Sequence, residues 1–193
     1  MKKGRLFVLI GPSGVGKTTL AEKAQHDGLA NRIITCTTRP PRPHEVSGQD
    51  YFFLTIEEFS LRQARDEFVE NEWIHGNRYG VLIRELSQAL ESGHVAIVSL
   101  GYEGAKRVKA LWPHQVTIVG ILPPSLETLR YRLKDRGTRD SEITLRLREI
   151  DREAPAVEAL ADVIIVNDDL SDAYHQWQDL LVPRNSRELG RDG

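Results

Sequence analysis

Gly11-Pro12-Ser13-Gly14-Val15-Gly16-Lys17-Thr18 sets glycines, a lysine and a hydroxyl at the spacing G-x-x-x-x-G-K-S/T. Glycines at these positions let backbone N–H groups turn inward around a phosphate. The lysine ammonium reaches the β- and γ-phosphates of a nucleoside triphosphate, and the Thr18 hydroxyl is set for a magnesium ion. The flanks raise this above a coincidence of spacing. Leu6-Phe7-Val8-Leu9-Ile10 before the loop is an unbroken apolar run, as in a parallel strand buried on both faces. A helix to about His26 follows and adds the positive end of its dipole. The candidate triphosphate-binding residues are therefore Gly11, Ser13, Gly14, Val15, Gly16, Lys17, Thr18 and Thr19, with Thr18 the candidate metal ligand.

Roughly 20 residues further on, Arg39-Pro40-Pro41-Arg42-Pro43 presents two guanidinium groups on a proline-stiffened loop. Guanidinium groups make planar, bidentate contacts to phosphate oxygens. Alone, such a stretch is an ordinary solvated loop. Downstream of a triphosphate loop it reads as a second phosphate site.

The run from Thr35 to Tyr51 resembles the signature of the guanylate kinase family, and the resemblance covers nearly the whole chain. Glu67-Phe68-Val69-Glu70 and Gly76-Asn77-Arg78-Tyr79-Gly80 are similar to the family's Glu-Phe-x-Glu and Gly-Asn-Tyr-Tyr-Gly. Further matches are Ile121-Leu122-Pro123-Pro124-Ser125-Leu126, Arg136-Gly137-Thr138, Arg146-Leu147 and Val166-Asn167-Asp168-Asp169-Leu170. The resemblance implies that Arg39, Arg42, Tyr51 and Tyr79 hold the phosphate of GMP. It implies that Glu70 reads guanine, with Thr35 a mild change at a serine that contacts the base. It places Arg136 and Arg146 on a lid over the transferring phosphoryl group and Asn167 near the adenine of ATP. Without it, the arginines between 132 and 152 would be a solvated helical face paired with Glu142, Glu149 and Glu153.

Departures from the family pattern cluster at the acceptor site. Val81 stands where a hydroxyl residue helps bind guanine. Ser99 and Gly101 replace the two aspartates of Asp-x-Asp, the first near the metal and the second beside the base. Arg78, Asn71 and Glu103 replace tyrosine, tryptophan and glutamine. The expectation is transfer from Mg·ATP to a phosphate-bearing acceptor, GMP or a related nucleotide, with base recognition thinned and magnesium held less tightly. A phosphate acceptor is already ionised near neutral pH, so no catalytic base is required. The alternatives are a kinase with a non-GMP acceptor, such as ribose 1,5-bisphosphate phosphokinase, and a non-catalytic binding module. The intact Lys17 and Thr18 argue against the module.

These residues need a scaffold, and the rest of the chain supplies its signals. Val95–Leu100, Val116–Leu122 and Val163–Val166 are further apolar strand-like runs. They alternate with helical segments at 83–91, 103–111, 125–136, from 141 to past 153, and 171–182, which predicts an α/β fold with a parallel sheet flanked by helices. Pro155 is expected to kink or break the charged helix. Ile33–Thr37, Tyr51–Leu54, Phe68–Glu70 and Trp73–His75 read as short strands that interrupt the rhythm. The expected division is a core at about 4–32, 83–135 and 153–182, an acceptor-binding β-rich lobe at about 33–82, a lid at about 136–152 and a polar tail at 183–193.

At 193 residues, 40% of them hydrophobic and 28% charged, the chain suits one domain that buries a core without staples. A net charge of −2 gives no bulk attraction for nucleic acid or anionic lipid. No stretch approaches a membrane span. The single cysteine, Cys36, excludes a disulfide framework and fits a reducing cytoplasm. Small-molecule nucleotides are the expected partners.

Overall fold

A computed structural model describes residues 3–74, 76–135 and 137–182; of these, the side chains of 145, 146, 149, 151 and 152 are not described. Arg136 and the expected tail at 183–193 therefore lie outside the described residues, as does the side chain of Arg146.

Strand β1 (Arg5–Ile10) is the centre of a five-stranded parallel sheet. Its order is β2 (Asn31–Arg32), β7 (Val95–Ser99), β1, β8 (Val116–Leu122), β9 (Val163–Val166). The apolar run of β1 feeds both faces. Phe7 and Leu9 enter one core with α1 (Lys17–His26), α5 (Leu126–Asp135) and α7 (Leu170–Leu181). Leu6, Val8 and Ile10 enter the other with α3 (Ile83–Glu91) and α4 (Tyr102–Leu111). Full burial on both sides explains why β1 shows no polar alternation. Trp177 packs edge-on against Phe7 at 5.3 Å and is completely buried.

A second, four-stranded sheet has the order β4 (Tyr51–Phe53), β3 (Thr35–Thr37), β6 (Asn77–Leu82), β5 (Phe68–Ile74). Helix α2 (Ile56–Ala64) covers it, started by a capping box in which Thr55 and Glu58 satisfy each other's backbone N–H groups. This lobe has its own small core of Cys36, Phe59, Phe68 and Leu82, with Phe59 and Phe68 stacked at 4.4 Å. Burial pushes the Cys36 thiol up to about 12.

Three sequence expectations are corrected. The run Ile33–Thr37 is not one strand: the chain leaves the core sheet after Arg32 and joins the second sheet at Thr35. Phe68–Glu70 and Trp73–His75 are not separate pieces; Phe68–Ile74 is one strand with a bulge between Phe68 and Glu70, paired with Asn77–Leu82. Helix α6 (Asp140–Leu160) continues through Pro155 rather than ending there. Its buried residues lie on both sides of the proline, Ile143 and Ile150 in one core and Val157 in the other. That packing outweighs the hydrogen bond that Pro155 cannot donate.

Candidate active site

The loop between β1 and α1 closes under Lys17. Its ammonium donates to the carbonyls of Gly11 (2.5 Å) and Pro12 (2.8 Å). Burial lowers the Lys17 pKa to about 8, against smaller opposing effects of Glu153 and Glu72. Gly16 takes a φ of 101°. A Cβ there would run into the Asn167 side-chain amide, so only glycine fits. The Asn167 amide donates to the Val15 carbonyl at 2.7 Å, which ties the end of β9 to the loop. The other amide atom, Oδ1, is buried without a partner among the described residues.

Three cavities surround this loop. One, of about 240 Å³, lies between the core and the second sheet. Of the expected acceptor residues, Thr35, Tyr51, Glu70, Tyr79, Val81 and Ser99 line it, together with Thr18. A second, of about 440 Å³, is lined by Gly11, Ser13, Lys17, Ser99, Gly101 and Glu153 among others. The third, of about 260 Å³, is bounded by Gly14, Gly16, Thr19, Tyr131, Arg132 and Asn167. The expected donor residues thus flank the loop on two sides, and the acceptor residues gather on a third. Three expected acceptor residues are exceptions: Gly101 lies on the Lys17 side, and Arg39 and Arg42 line none of the three cavities.

The arginine loop is organised by a residue that the sequence reading missed. Glu45 accepts from the Arg39 guanidinium at 2.8 Å and from the Arg42 backbone N–H at 2.7 Å. The Arg39 hydrogen bond, then that from Arg42, holds the Glu45 carboxyl down at about 2. Arg39 also lies over the rings of Tyr51 and Phe53, at 5.7 and 5.8 Å. Tyr51 and Tyr79 meet at 6.1 Å. The Arg42 side chain makes no hydrogen bond or ion pair among the described residues.

Glu70 accepts from the Gly101 backbone N–H with both oxygens. Burial raises its pKa above the ordinary carboxylate value, with the Gly101 bond opposing. In the β5–β6 register it faces Val81, which is buried in the apolar core. Arg78 does not line the cavity of Thr35, Tyr51 and Glu70. Its guanidinium lies over Trp73 and Phe59, at 5.1 and 5.3 Å.

Arg132 also escaped the sequence reading. It donates to the carbonyls of Asn167 (2.7 Å) and Asp168 (2.8 Å), fixing the loop beyond β9 against α5. No motif marks it apart from the neighbouring arginines.

Residues 3–183 match a family model described as guanylate kinase. The chain is 39% identical over 193 residues to the guanylate kinase of Anaeromyxobacter dehalogenans (strain 2CP-C), with 97% of this chain and 84% of that one covered. It is 39% identical over 198 residues to the guanylate kinase of Thermotoga maritima (strain ATCC 43589 / DSM 3109 / JCM 10099 / NBRC 100826 / MSB8), covering 98% and 94%. Among solved structures it is similar to the crystal structure of guanylate kinase from Anaplasma phagocytophilum, with a TM-score of 0.71 at 28% identity over 99% of this chain and 88% of that one.

Proposed function

Since this chain belongs to the guanylate kinase family, we propose that it is the kinase that moves the γ-phosphoryl group of ATP onto the phosphate of GMP, giving ADP and GDP. The observation that carries the reading is the shared wall at Ser99. The cavity holding Lys17 and the cavity holding Tyr51, Glu70 and Tyr79 both reach this residue. A donor phosphate over Lys17 and an acceptor phosphate beside Tyr51 would meet there.

Transfer between phosphates needs positioning and charge neutralisation, with little covalent help from protein. The backbone of Gly11 to Gly16 and the Lys17 ammonium hold the triphosphate; Ser13, Thr18 and Thr19 add hydroxyls at the helix N-terminus. The unpartnered Asn167 Oδ1 suits an amino-bearing base such as adenine, for which it would serve as acceptor. Arg39, Arg42, Tyr51 and Tyr79 hold the acceptor phosphate in line, with Glu70 and Thr35 on the base. Val81, Ser99 and Gly101 leave fewer polar contacts to that base. Arg136 and Arg146 supply further positive charge around the transferring group.

The oxygen donors around Thr18, namely its own hydroxyl, the Ser99 hydroxyl and carboxylates, are the hard ligands that magnesium prefers. Among the described residues, no group of three or more His, Cys, Asp or Glu side chains could hold a metal alone. This suits an ion that arrives on the nucleotide. When bound, magnesium supplies charge neutralisation at the β- and γ-phosphates. Small nucleotides are the proposed partners and the cytoplasm the proposed location; no helix among the described residues is long and apolar enough to cross a membrane.

An ADP-release assay across GMP, dGMP, AMP, CMP, UMP and sugar phosphates tests the reading. GMP is expected to give the highest kcat/KM, and Lys17→Ala to abolish turnover. Absence of turnover with GMP, or faster turnover with another acceptor, overturns it.

A further inference from the structure

Lys17 and Thr18 face different cavities, and Glu72, Ile74 and Ser99 are common to both. The border of the two cavities is where donor and acceptor phosphates must face each other. Strand β7, next to β1, ends there in the Ser99 hydroxyl. P-loop enzymes hold the nucleotide's magnesium between the loop hydroxyl and a carboxylate, and the ion keeps several waters for the protein to order. Ser99 cannot supply that carboxylate.

Glu72 can. It lies two residues beyond Glu70 on β5, so both side chains emerge on the same face of the strand, toward the cleft. Its negative charge acts on Lys17 on one side and on Glu70 on the other. The other carboxylates nearby are committed or misplaced. Glu70 is bound to the Gly101 amide, Asp50 accepts from the Val46 backbone N–H at 2.8 Å, and Glu153 lines the Lys17 cavity but not the one containing Thr18. The Glu72 side chain makes no hydrogen bond or ion pair among the described residues.

We propose that Glu72 orders the water shell of the magnesium ion carried by ATP, reaching it from the acceptor lobe, across the cleft from Ser99. One strand then serves both substrates, Glu70 facing the acceptor and Glu72 the metal. The proposal rests on the ATP-dependent reading above.

The test is ATP affinity by titration calorimetry, in magnesium and in EDTA, for the unaltered protein, Glu72→Gln and the double variant Glu72→Gln/Ser99→Asp. Glu72→Gln is expected to cut the gain in affinity that magnesium brings by about tenfold, the usual effect of losing an outer-shell partner. Affinity in EDTA is expected to hold or tighten, because a negative charge has left the site. The double variant, with a carboxylate returned to β7, is expected to restore the magnesium gain. An undiminished gain in Glu72→Gln, or an equal loss with and without magnesium, overturns the proposal. Failure of the unaltered protein to bind ATP at all would overturn the ATP reading itself, and this inference with it.

Discussion

Both carboxylate oxygens of Glu70 accept the same hydrogen, the backbone N–H of Gly101, at 2.9 and 3.0 Å. The contact joins the second sheet to the first turn of α4, for which Gly101 is the N-cap. Anionic groups are favoured at a helix N-terminus. The fit needs two glycines: a Cβ on Gly101 would lie 2.6 Å from Glu70 Oε1, and one on Gly104 would lie 2.7 Å from Glu70 Cδ.

Gly101→Ala therefore isolates the contact. The backbone at Gly101, with φ −73° and ψ 178°, accepts alanine without strain. The methyl group displaces Glu70 and removes the hydrogen bond that opposes its raised pKa. Losing one charged hydrogen bond of ~1–3 kcal/mol should raise the KM for GMP roughly tenfold or more, a larger factor than any rise in the KM for ATP. Steady-state kinetics in each substrate check the split.

Lys17 makes donor binding depend on pH. In the free protein it loses its proton as pH rises through about 8. A bound triphosphate favours the charged ammonium and raises that pKa again. ATP binding should therefore take up a proton above pH 8, and affinity should fall as pH rises from about 8 toward 10. At pH 7 the ammonium is already charged and the uptake should vanish. Calorimetry in two buffers of different ionisation enthalpy measures the proton count, which Lys17→Met should abolish.

The hub of the arginine loop is Glu45, and it is expected to matter as much as the arginines. Glu45→Ala removes the acceptor of both the Arg39 guanidinium and the Arg42 backbone N–H. The KM for GMP should rise about tenfold, on the scale of one charge-assisted hydrogen bond. Calorimetric affinity for ATP should not move.

Asn167→Ala removes the tie between β9 and the phosphate loop. The Val15 carbonyl would lose its side-chain donor. A loss of ~1–2 kcal/mol should lower Tm by roughly 2–8 °C for a domain of this size. ATP affinity should fall as well, while GMP affinity is retained; thermal melts and titrations with each nucleotide separate these effects.

The strand–loop–helix around Gly11 to Thr18 was legible because its signals are local. Three glycines with positive φ (Gly11, Gly14 and Gly16), a lysine and a hydroxyl lie within eight residues, between a buried strand and a helix. Four strands of the parallel sheet, β1, β7, β8 and β9, were legible for the same reason, as apolar runs, while the short polar β2 was not. Pairings across the fold were not. Glu70 and Gly101 are 31 positions apart, and nothing in either neighbourhood announces the other. Glu72 carries a weak signal, its two-residue spacing from Glu70, which gains meaning only once the strand is known to face the cleft. Ile33 and Ile34 hid the passage between two sheets, because an apolar pair continues either strand equally well.

The lone cysteine gives the molecule a built-in clock. The Cys36 side chain is completely buried in the small core of the second sheet, and its thiol is pushed up to about 12. A thiol in that state does not react with an alkylating reagent; it reacts only while its lobe stands open. The labelling rate of the unmodified protein therefore counts openings of the second-sheet lobe alone, with the larger parallel-sheet core silent. The factor by which GMP slows that rate is the ligand's contribution to holding the lobe shut.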